Sequence, residues 1–404
     1  MAAMQIDPAR RAVSLDPRDP AFYNNPYPAY REIRAAAPVF YWEEYGYWCF
    51  ARHEDVNGLL RDRRFGRQIT HLVSRERLGW PGIPPQLAPF YAFEAHSLLE
   101  LEPPAHTRIR GLVNRAFVGR AIESLRSRIA ALAHSLINEF EGSGTTDLLE
   151  SFATPIPVAV IADLLGVPSE MAPQLLTWSH RMVAMYQARR DAEIEVQAVA
   201  ATLEFTGFMR DYIKRRRAEP RDDLLTQLIA AEQDGQKLST DELVTTAILL
   251  LNAGHEATVH ALANGIKALL ERGLRADSDP RLVEELLRYD APLHLFTRYA
   301  LEDVEVAGVK LRQGDQIGLL LGAANRDPER FADPDRFDPR REPCPHVSFG
   351  AGIHFCVGAP LARLEMQVAL PILFERLPRL ALAETPRYRD SFHFHGLERL
   401  GVTF

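Results

Sequence analysis

The chain has 404 residues, a formal net charge of -7 and 47% hydrophobic residues. This composition is typical of a globular protein with a large core, and the negative charge argues against a nucleic-acid partner. Three cysteines, Cys49, Cys344 and Cys356, are too few for a disulfide framework and indicate a reducing compartment. We find no apolar signal segment and no apolar run of the ~18 residues that a membrane span needs. The sequence therefore predicts a soluble cytoplasmic protein without a membrane partner.

The predicted elements are mostly helices. Residues 1–25 are polar and interrupted by prolines, and we expect them to form an arm on the surface. Alternating apolar residues over 39–52 predict a β-hairpin that turns at Gly46. Apolar residues then repeat at helical spacing through most of 120–272. Short strands are predicted within 293–321. Because two sheet segments flank a helical region, we expect residues 1–404 to form one mainly α domain with a minor β part.

The longest predicted helix covers residues 240–272. Ser239 and Glu242 match a capping box at its start, and Gly273 stands at its expected end. Its N-terminal half is apolar nearly all round, which is typical of a buried helix. At ~1.5 Å per residue this helix would be about 48 Å long and would cross the centre of the domain.

Cys356 lies in the glycine-rich stretch FGAGIHFCVG, residues 349–358. A buried structural cysteine is the commonest role of a free thiol. A dinucleotide-binding loop is excluded because Phe355 stands where the third glycine is required. A zinc site with the nearby cysteine and histidines has unfavourable ligand spacing. The backbone N–H groups of the helix predicted after Cys356 favour a thiolate, and a thiolate can bind haem iron.

This stretch fits the pattern F-x-x-G-x-x-x-C-x-G at Phe349, Gly352, Cys356 and Gly358. In this it resembles the haem-binding loop of the cytochrome P450 family. Further motifs of the family follow in order over residues 106–365, and the whole chain resembles a soluble bacterial member. The resemblance implies the cytochrome P450 fold with the long helix over the haem, haem b as the cofactor and Cys356 as the axial ligand of the iron.

The resemblance also implies which other residues contact the haem. His106 and Arg110, one helical turn apart, match positions that hold a haem propionate. Arg298 and His354 match two further propionate donors, and Phe349 belongs to the cofactor-binding loop. Arginine suits this role because its planar guanidinium can bond both oxygens of a carboxylate.

A salt-bridge triad is implied behind the haem. Glu285 and Arg288 lie three residues apart on a predicted helix, which by itself indicates a surface ion pair. Arg336 lies in the stretch PDRF, residues 334–337. The resemblance implies that the three side chains form an internal, structural triad.

The candidate catalytic residues lie in AGHEAT, residues 253–258. Ala253, Gly254 and Ala257 are small and share one helix face, which by itself is typical of a helix–helix contact. The resemblance places this face over the haem and implies that Glu256 relays protons. The family commonly has threonine after the acid, whereas this chain has Ala257 and then Thr258. Because one further residue rotates by about 100° on a helix, we expect Thr258 to point away.

The resemblance implies a monooxygenase that inserts one oxygen atom of O2 into a small or medium, largely apolar substrate. No flavin or iron–sulfur motif is present, so we expect a ferredoxin and its reductase to supply electrons to a monomeric protein. The acid-free run 103–120 predicts ferredoxin docking near Arg108, Arg115 and Arg120. Two alternatives remain open, a peroxide-driven haem enzyme and a non-catalytic haem sensor or carrier. The candidate substrate contacts are Leu249, Ala253, Leu293, His294, Phe296 and Phe394.

Overall fold

About half of the structure is helical and strands form a smaller part, which confirms the predicted fold class. The computed structural model describes residues 3–117, 122–186, 190–233 and 235–404. Within these ranges the α-helices are α1 Pro20–Asn24, α2 Tyr27–Ala36, α3 His53–Arg61, α4 Ala88–Glu94, α5 Ala105–Ala116, α6 Arg126–Phe140, α7 Pro155–Leu165, α8 Ala172–Val183, α9 Ala192–Ala218, α10 Leu224–Ala230, α11 Thr240–Leu270, α12 Pro280–Tyr289, α13 Leu321–Ala324 and α14 Ala359–Arg376. Among the helices of these ranges, none has both the length and the apolar character that a membrane-spanning segment needs.

The long helix α11 is the centre of the helical part. Its start is the predicted capping box, in which Ser239 and Glu242 bond each other's backbone N–H groups. Just past its end, Gly273 adopts a positive φ of 63°, a conformation that favours glycine. Most of its 31 residues are buried, and it packs against α7, α8, α9, α12 and α14. At 1.5 Å per residue it is about 46 Å long.

Within the same described ranges, the β part consists of short strands in four sheets. The strands are β1 Met4–Asp7, β2 Ala12–Leu15, β3 Val39–Trp42, β4 Tyr47–Phe50, β5 Phe65–Gly66, β6 Thr145–Asp147, β7 Glu232–Gln233, β8 Gln236–Lys237, β9 Leu295–Ala300, β10 Val304–Val306, β11 Val309–Leu311, β12 Gln316–Leu320, β13 Ala381–Leu382 and β14 Gly401–Thr403. The largest sheet has the order β1-β2-β3-β4-β12-β9-β5. The predicted hairpin is present as β3 and β4, and it joins the strands from 293–321 through the parallel pair β4 and β12.

The N-terminal segment differs from the expected surface arm. Strands β1 and β2 pair with each other, and β2 continues the large sheet by pairing in parallel with β3. Val13, Leu15 and Phe22 are fully buried, and the Trp42 ring nitrogen donates a hydrogen bond to the Leu15 carbonyl at 2.8 Å. The few apolar residues of this segment are therefore core residues, and the prediction of an arm was wrong.

The predicted salt-bridge triad has a different third member. Glu285 and Arg288 are fully buried and form two hydrogen bonds of 2.7 and 2.8 Å. The second arginine on this carboxylate is Arg341, whose Nε donates to Glu285 at 3.1 Å. Arg336 is exposed and contributes its backbone carbonyl, which accepts from both arginines. The Arg336 side chain therefore lies outside the cluster. The prediction is corrected: Arg341, not Arg336, is the third side chain of the triad.

A second buried acid, Glu365, lies on α14. Its side chain is 1% exposed, and neither carboxylate oxygen has a hydrogen-bond partner among the described residues. Burial raises the pKa of this carboxyl well above its usual value of 4.5, because the charged form loses its solvation. Burial therefore favours the protonated form of Glu365.

Candidate active site

The cysteine loop is a tight turn that leads into α14. Gly352 has a φ of +70°, and a Cβ at this position would lie 2.4 Å from the Leu60 carbonyl oxygen. Only glycine therefore fits this close approach of the loop to the end of α3. Four residues later the backbone N–H of Cys356 donates to the Phe349 carbonyl at 2.9 Å, which closes the loop and places the thiol just before α14.

The Cys356 thiol faces hydrogen-bond donors. The Cys356 residue is exposed. Desolvation by the protein around the sulfur raises its pKa, whereas the backbone N–H groups of Gly358 and Ala359 and the charge of Arg110 act in the opposite direction. Donors at a helix start stabilise an anion, so the loop can hold a thiolate. The other two cysteines lie elsewhere: Cys49 is buried in the large sheet, and Cys344 is half-buried beside the Glu284 carbonyl.

Buried basic side chains gather near this loop. The ring of His106, on α5, lies 4.4 Å from the ring of His354 between centroids. Neither ring nitrogen of His106 has a partner among the described residues, although the side chain is buried. Arg298 is 3% exposed and has no carboxylate within ion-pair distance in the described part of the chain. Burial lowers its pKa to about 9. Such groups favour an anionic partner.

Two neighbours complete this basic cluster. Arg110 is half-buried, and its Nε donates to Asn114 at 3.0 Å. Glu102, which the sequence analysis missed, lies 3.3 Å from the Nε2 atom of His354. Burial raises the pKa of Glu102, but the hydrogen bonds from His354 and the Arg67 backbone outweigh burial and lower it. The signal for Glu102, an acid just before a basic helix, is too common to indicate a site.

The middle of α11 presents an accessible face of small residues. Leu249, Ala253 and Ala257 recur every four residues and share one side of the helix. Ala253 is exposed and the other two are half-buried, although most of the helix is buried. Gly254 lies beside this face against α7, where a Cβ would be 3.0 Å from Ile161. The glycine therefore also serves the helix–helix contact that its size alone indicates.

Glu256 is surrounded by three histidines. Its carboxylate lies 3.4 Å from His260 and 3.7 Å from both His255 and His180. Burial raises the pKa of Glu256, but the hydrogen bond from His260 and the nearby histidine charges outweigh burial and lower it to about 2. None of these histidines was predicted. His260 stands four residues after Glu256 on the same helix, a spacing that could have indicated it. His180 comes from α8, and no local spacing links it to α11.

Thr258 points away from the accessible face, as the helical geometry predicts. It is 5% exposed, and its hydroxyl donates to the Gly254 carbonyl at 3.4 Å within the helix. Because α11 is α-helical from Thr240 to Leu270, the helix is not locally distorted in a way that would bring this hydroxyl round.

The candidate substrate contacts fall into two groups. Leu293 and Phe394 form a β-bridge and are half-buried, and Phe296 is half-buried against the cysteine loop. His294 is fully enclosed and bonds the Tyr30 hydroxyl at 2.9 Å. The prediction for His294 is therefore corrected from a substrate contact to a structural side chain beneath α2.

The three arginines expected at the ferredoxin-docking face differ in their surroundings. Arg108 forms an ion pair with Glu242 at the start of α11, so its charge is compensated within the chain. Arg115 is exposed in the last turn of α5. Arg120 lies outside the described residues.

A cleft of about 730 Å³ opens beside the cysteine loop, and both Phe355 and Arg61 line it.

These residues fit a haem. A thiol at a helix start can bind the iron, and the unpartnered His106 and buried Arg298 suit the negative propionates. On the other side, the small residues Ala253 and Ala257 leave room above a flat group. A haem propionate would also supply the carboxylate that Arg298 lacks among the described residues.

Comparison with known proteins gives one consistent family. A sequence model described as Cytochrome P450 matches residues 82–272 and 280–387. The "Polyketide biosynthesis cytochrome P450 PksS" of Bacillus subtilis strain 168 is 36% identical, with 96% of this chain and 98% of the relative covered. The 6-deoxyerythronolide B hydroxylase of Saccharopolyspora erythraea is 37% identical, with coverage of 95% and 96%.

A solved structure matches the fold closely. It is P450BioI in complex with an acyl carrier protein ligated to hexadec-9Z-enoic acid, and its TM-score is 0.88 at 35% identity. The match covers 96% of this chain and 100% of that one. The likeness therefore extends over the long helix, the sheets and the cysteine loop together.

Proposed function

Because the chain belongs to the cytochrome P450 family, we propose that it is a monooxygenase in which the Cys356 sulfur binds the iron of haem b. The placement of Cys356 carries this proposal. Its thiol stands at the start of α14 and faces the backbone N–H groups of Gly358 and Ala359. The ring of His106 lies 4.4 Å from that of His354, two residues before the cysteine.

The proposed reaction inserts one oxygen atom of O2 into a C–H bond of the substrate, and the second atom leaves as water. It consumes two electrons and two protons for each product molecule. A bound haem supplies the activation of O2, and a thiolate ligand favours cleavage of the O–O bond. The protein supplies the ligand, the orientation of the substrate and the route for protons.

The basic cluster orients the haem in this proposal. His106, Arg110, Arg298 and His354 would hold the two propionates. His354 would use its Nδ1 atom, because its Nε2 atom lies 3.3 Å from Glu102. The burial of His106 and Arg298 makes these contacts strong, because their charges and dipoles have little competing water.

Glu256 handles protons in this proposal. His180 is the member of its histidine group that reaches solvent, with a side chain 53% exposed. Protons pass from solvent through His180 to the Glu256 carboxylate. Rotation of the Glu256 side chain, or a water molecule, then carries them to the face formed by Ala253 and Ala257. The hydroxyl of Thr258 takes no part, because it is bonded within the helix.

The substrate is a small or medium, largely apolar molecule. It lies against Leu249, Ala253, Leu293, Phe296 and Phe394, which offer apolar surface. The names of two relatives support this size range, since one acts in polyketide biosynthesis and another hydroxylates 6-deoxyerythronolide B. A ferredoxin with its reductase supplies electrons on the cysteine side of the haem, near Arg115.

Loss of the Cys356 thiol tests the iron ligand. Cys356→Ser should abolish the thiolate-type absorption of the ferrous carbon-monoxide complex. Cys344→Ser is the matched control and should keep that absorption, because Cys344 is half-buried beside α12. Survival of the absorption in Cys356→Ser, or its loss in Cys344→Ser alone, would contradict the assignment.

Turnover assays distinguish the monooxygenase from the two alternatives. Product formation with NAD(P)H, ferredoxin and reductase is the expected result. Product formed with peroxide alone would indicate a peroxide-driven enzyme. Substrate-induced changes in the haem spectrum without product under either condition would indicate a sensor or carrier.

A further inference from the structure

We propose that His180, His255 and Glu256 form a binding site for a divalent transition metal of the zinc class, which joins helix α8 to helix α11. One ligand atom from each residue, two imidazole nitrogens and one carboxylate oxygen, lies within 4.8 Å of the others. Two histidines and one glutamate are a ligand set that binds zinc in proteins and leaves a fourth position open.

The distances are close to those of a metal site. The Nε2 atoms of His180 and His255 each lie 3.7 Å from the same Glu256 oxygen, Oε2. Ligands held about 2.1 Å from zinc in a tetrahedron are about 3.4 Å apart. Small side-chain movements therefore bring the three atoms into coordination, without a change in either helix.

His255 carries the strongest independent evidence. Its Nδ1 atom lies 2.8 Å from the Leu251 carbonyl oxygen, which can only accept. The proton is therefore on Nδ1, and the lone pair of Nε2 points toward the other ligands. The side chain is 4% exposed, yet Nε2 has no hydrogen-bond partner among the described residues. A buried, unpartnered lone pair is costly unless a proton donor or a metal ion occupies it.

Outer hydrogen bonds hold the ligands as metal sites usually require. The Leu251 carbonyl fixes the tautomer and the ring orientation of His255. His260 lies 3.4 Å from Oε1 of Glu256, the oxygen that does not face the other two histidines. The His260 ring packs closely on Gly396, where a Cβ would lie 2.1 Å from it.

The exposed side of the site gives a metal ion access. The side chain of His180 is 53% exposed, whereas those of His255 and Glu256 are 4% and 13% exposed. An ion can therefore reach the two α11 ligands from solvent past His180. A fourth coordination position would remain for water.

The described residues hold one other group of this type, formed by Asp290, His294 and His395. It differs because all three are buried. Both Asp290 oxygens already accept hydrogen bonds, one from Tyr27 at 2.7 Å and one from Tyr388. That group therefore has no free carboxylate oxygen and no open side, and it serves the packing of the fold.

The test is isothermal titration of Zn²⁺ into the haem-loaded, chelator-treated protein. Wild type should show one saturable site, and both His180→Gln and His255→Gln should weaken binding at least about tenfold. His134→Gln is the matched control, because His134 is an exposed histidine on α6. An unchanged carbon-monoxide spectrum shows that each variant is folded. Absence of a saturable site, or binding that survives both ligand variants, would overturn the proposal.

A second measurement links the site to catalysis and rests on the proposed function. If Glu256 handles protons, Zn²⁺ should inhibit turnover in wild type and should inhibit less in His180→Gln. Zinc that binds through these residues without changing turnover would support the site and contradict the proton role of Glu256. Failure of the titration would contradict the site and leave the role of Cys356 unaffected.

Discussion

At the scale of single residues, Glu285 is a buried carboxylate held by several hydrogen-bond donors. It is fully buried, and its two oxygens accept from Arg288, from Arg341 and from the backbone N–H of Asp338 at 2.8 Å. A buried carboxylate of this kind is stable only while its partners remain, because water cannot replace them. The cluster fastens the segment around 333–341 to α12, directly behind the segment that leads to the cysteine loop.

We expect Arg341→Gln to lower the free energy of unfolding by about 2–4 kcal/mol, because it removes one cation from a buried carboxylate. Arg336→Gln is the matched control and should change it by less than about 0.5 kcal/mol, because that side chain is exposed. Urea unfolding followed by circular dichroism measures both. Equal losses in the two variants would contradict the assignment of Arg341.

The sequence predicts this cluster in part. Glu285 and Arg288 stand three residues apart on one helix, and local spacing alone places them together. The third member depends on the backbone path of the irregular segment 332–341. In this segment the Arg341 side chain and the Arg336 carbonyl face Glu285 and Arg288. Family resemblance favoured Arg336, whereas the backbone path of this chain directs Arg341 inward.

At the scale of elements, α11 shows which features are local. Its capping box, its end before Gly273 and its buried character follow from neighbouring residues, and all three were predicted correctly. The orientation of Thr258 also follows, because it depends only on the helical rotation of about 100° per residue. The histidines around Glu256 could not be predicted as a group, because packing of α8 against α11 brings His180 to them.

We expect substitutions on α11 to show that Glu256, and not Thr258, delivers protons. Glu256→Gln should lower turnover about 10²-fold or more, the usual contribution of a general acid or base. Thr258→Ala should leave product formed per NAD(P)H consumed nearly unchanged, because its hydroxyl is bonded to Gly254. Ala257→Thr is a further comparison, which adds a hydroxyl to the accessible face and should improve coupling with poor substrates.

The measurement is product formed against NAD(P)H consumed for all three variants. If Thr258→Ala collapses coupling while Glu256→Gln does not, the hydroxyl at 258 is the relay. The geometry assigned to α11 would then be mistaken.

At the scale of the whole molecule, the large sheet joins distant parts of the chain. Strand β4 pairs with β12, and β2 adds the N-terminal segment to the same sheet. Individual strands can be predicted from alternation, as β3 and β4 were, but the partners of a strand depend on the fold as a whole. For this reason the sequence of residues 1–25 did not indicate that the segment joins the sheet and the core.

The charge distribution predicts how an electron donor approaches. Arg115→Glu should slow reduction by an acidic ferredoxin about fourfold at low ionic strength, since reversing one charge at ~10 Å in water costs about 0.8 kcal/mol. Lys214→Glu on α9 is the control and makes the same charge change on another helix. Stopped-flow reduction of the haem measures both. The difference should vanish near 1 M salt, where the Debye length is about 3 Å.

An equal effect of both substitutions would indicate a response to net charge alone. An unchanged rate in Arg115→Glu at low ionic strength would place the docking surface away from α5.

The buried Glu365 makes folding a proton-uptake reaction. Below its usual pKa of 4.5 the carboxyl is protonated in both the folded and the unfolded chain. Above that value only the folded chain keeps the proton, so this group lowers the free energy of unfolding by about 1.4 kcal/mol for each pH unit until the raised pKa is reached. Glu365→Gln should remove this loss, so its stability relative to wild type should rise from about pH 4.5 upward until the raised pKa of Glu365 is reached. Glu375→Gln, exposed on the same helix, should parallel wild type in urea unfolding across that range.

A Glu365→Gln profile parallel to wild type would mean that the acid is already ionised in the fold. Between its usual pKa and its raised one, this single carboxyl makes the folded protein hold a proton that the unfolded chain would release.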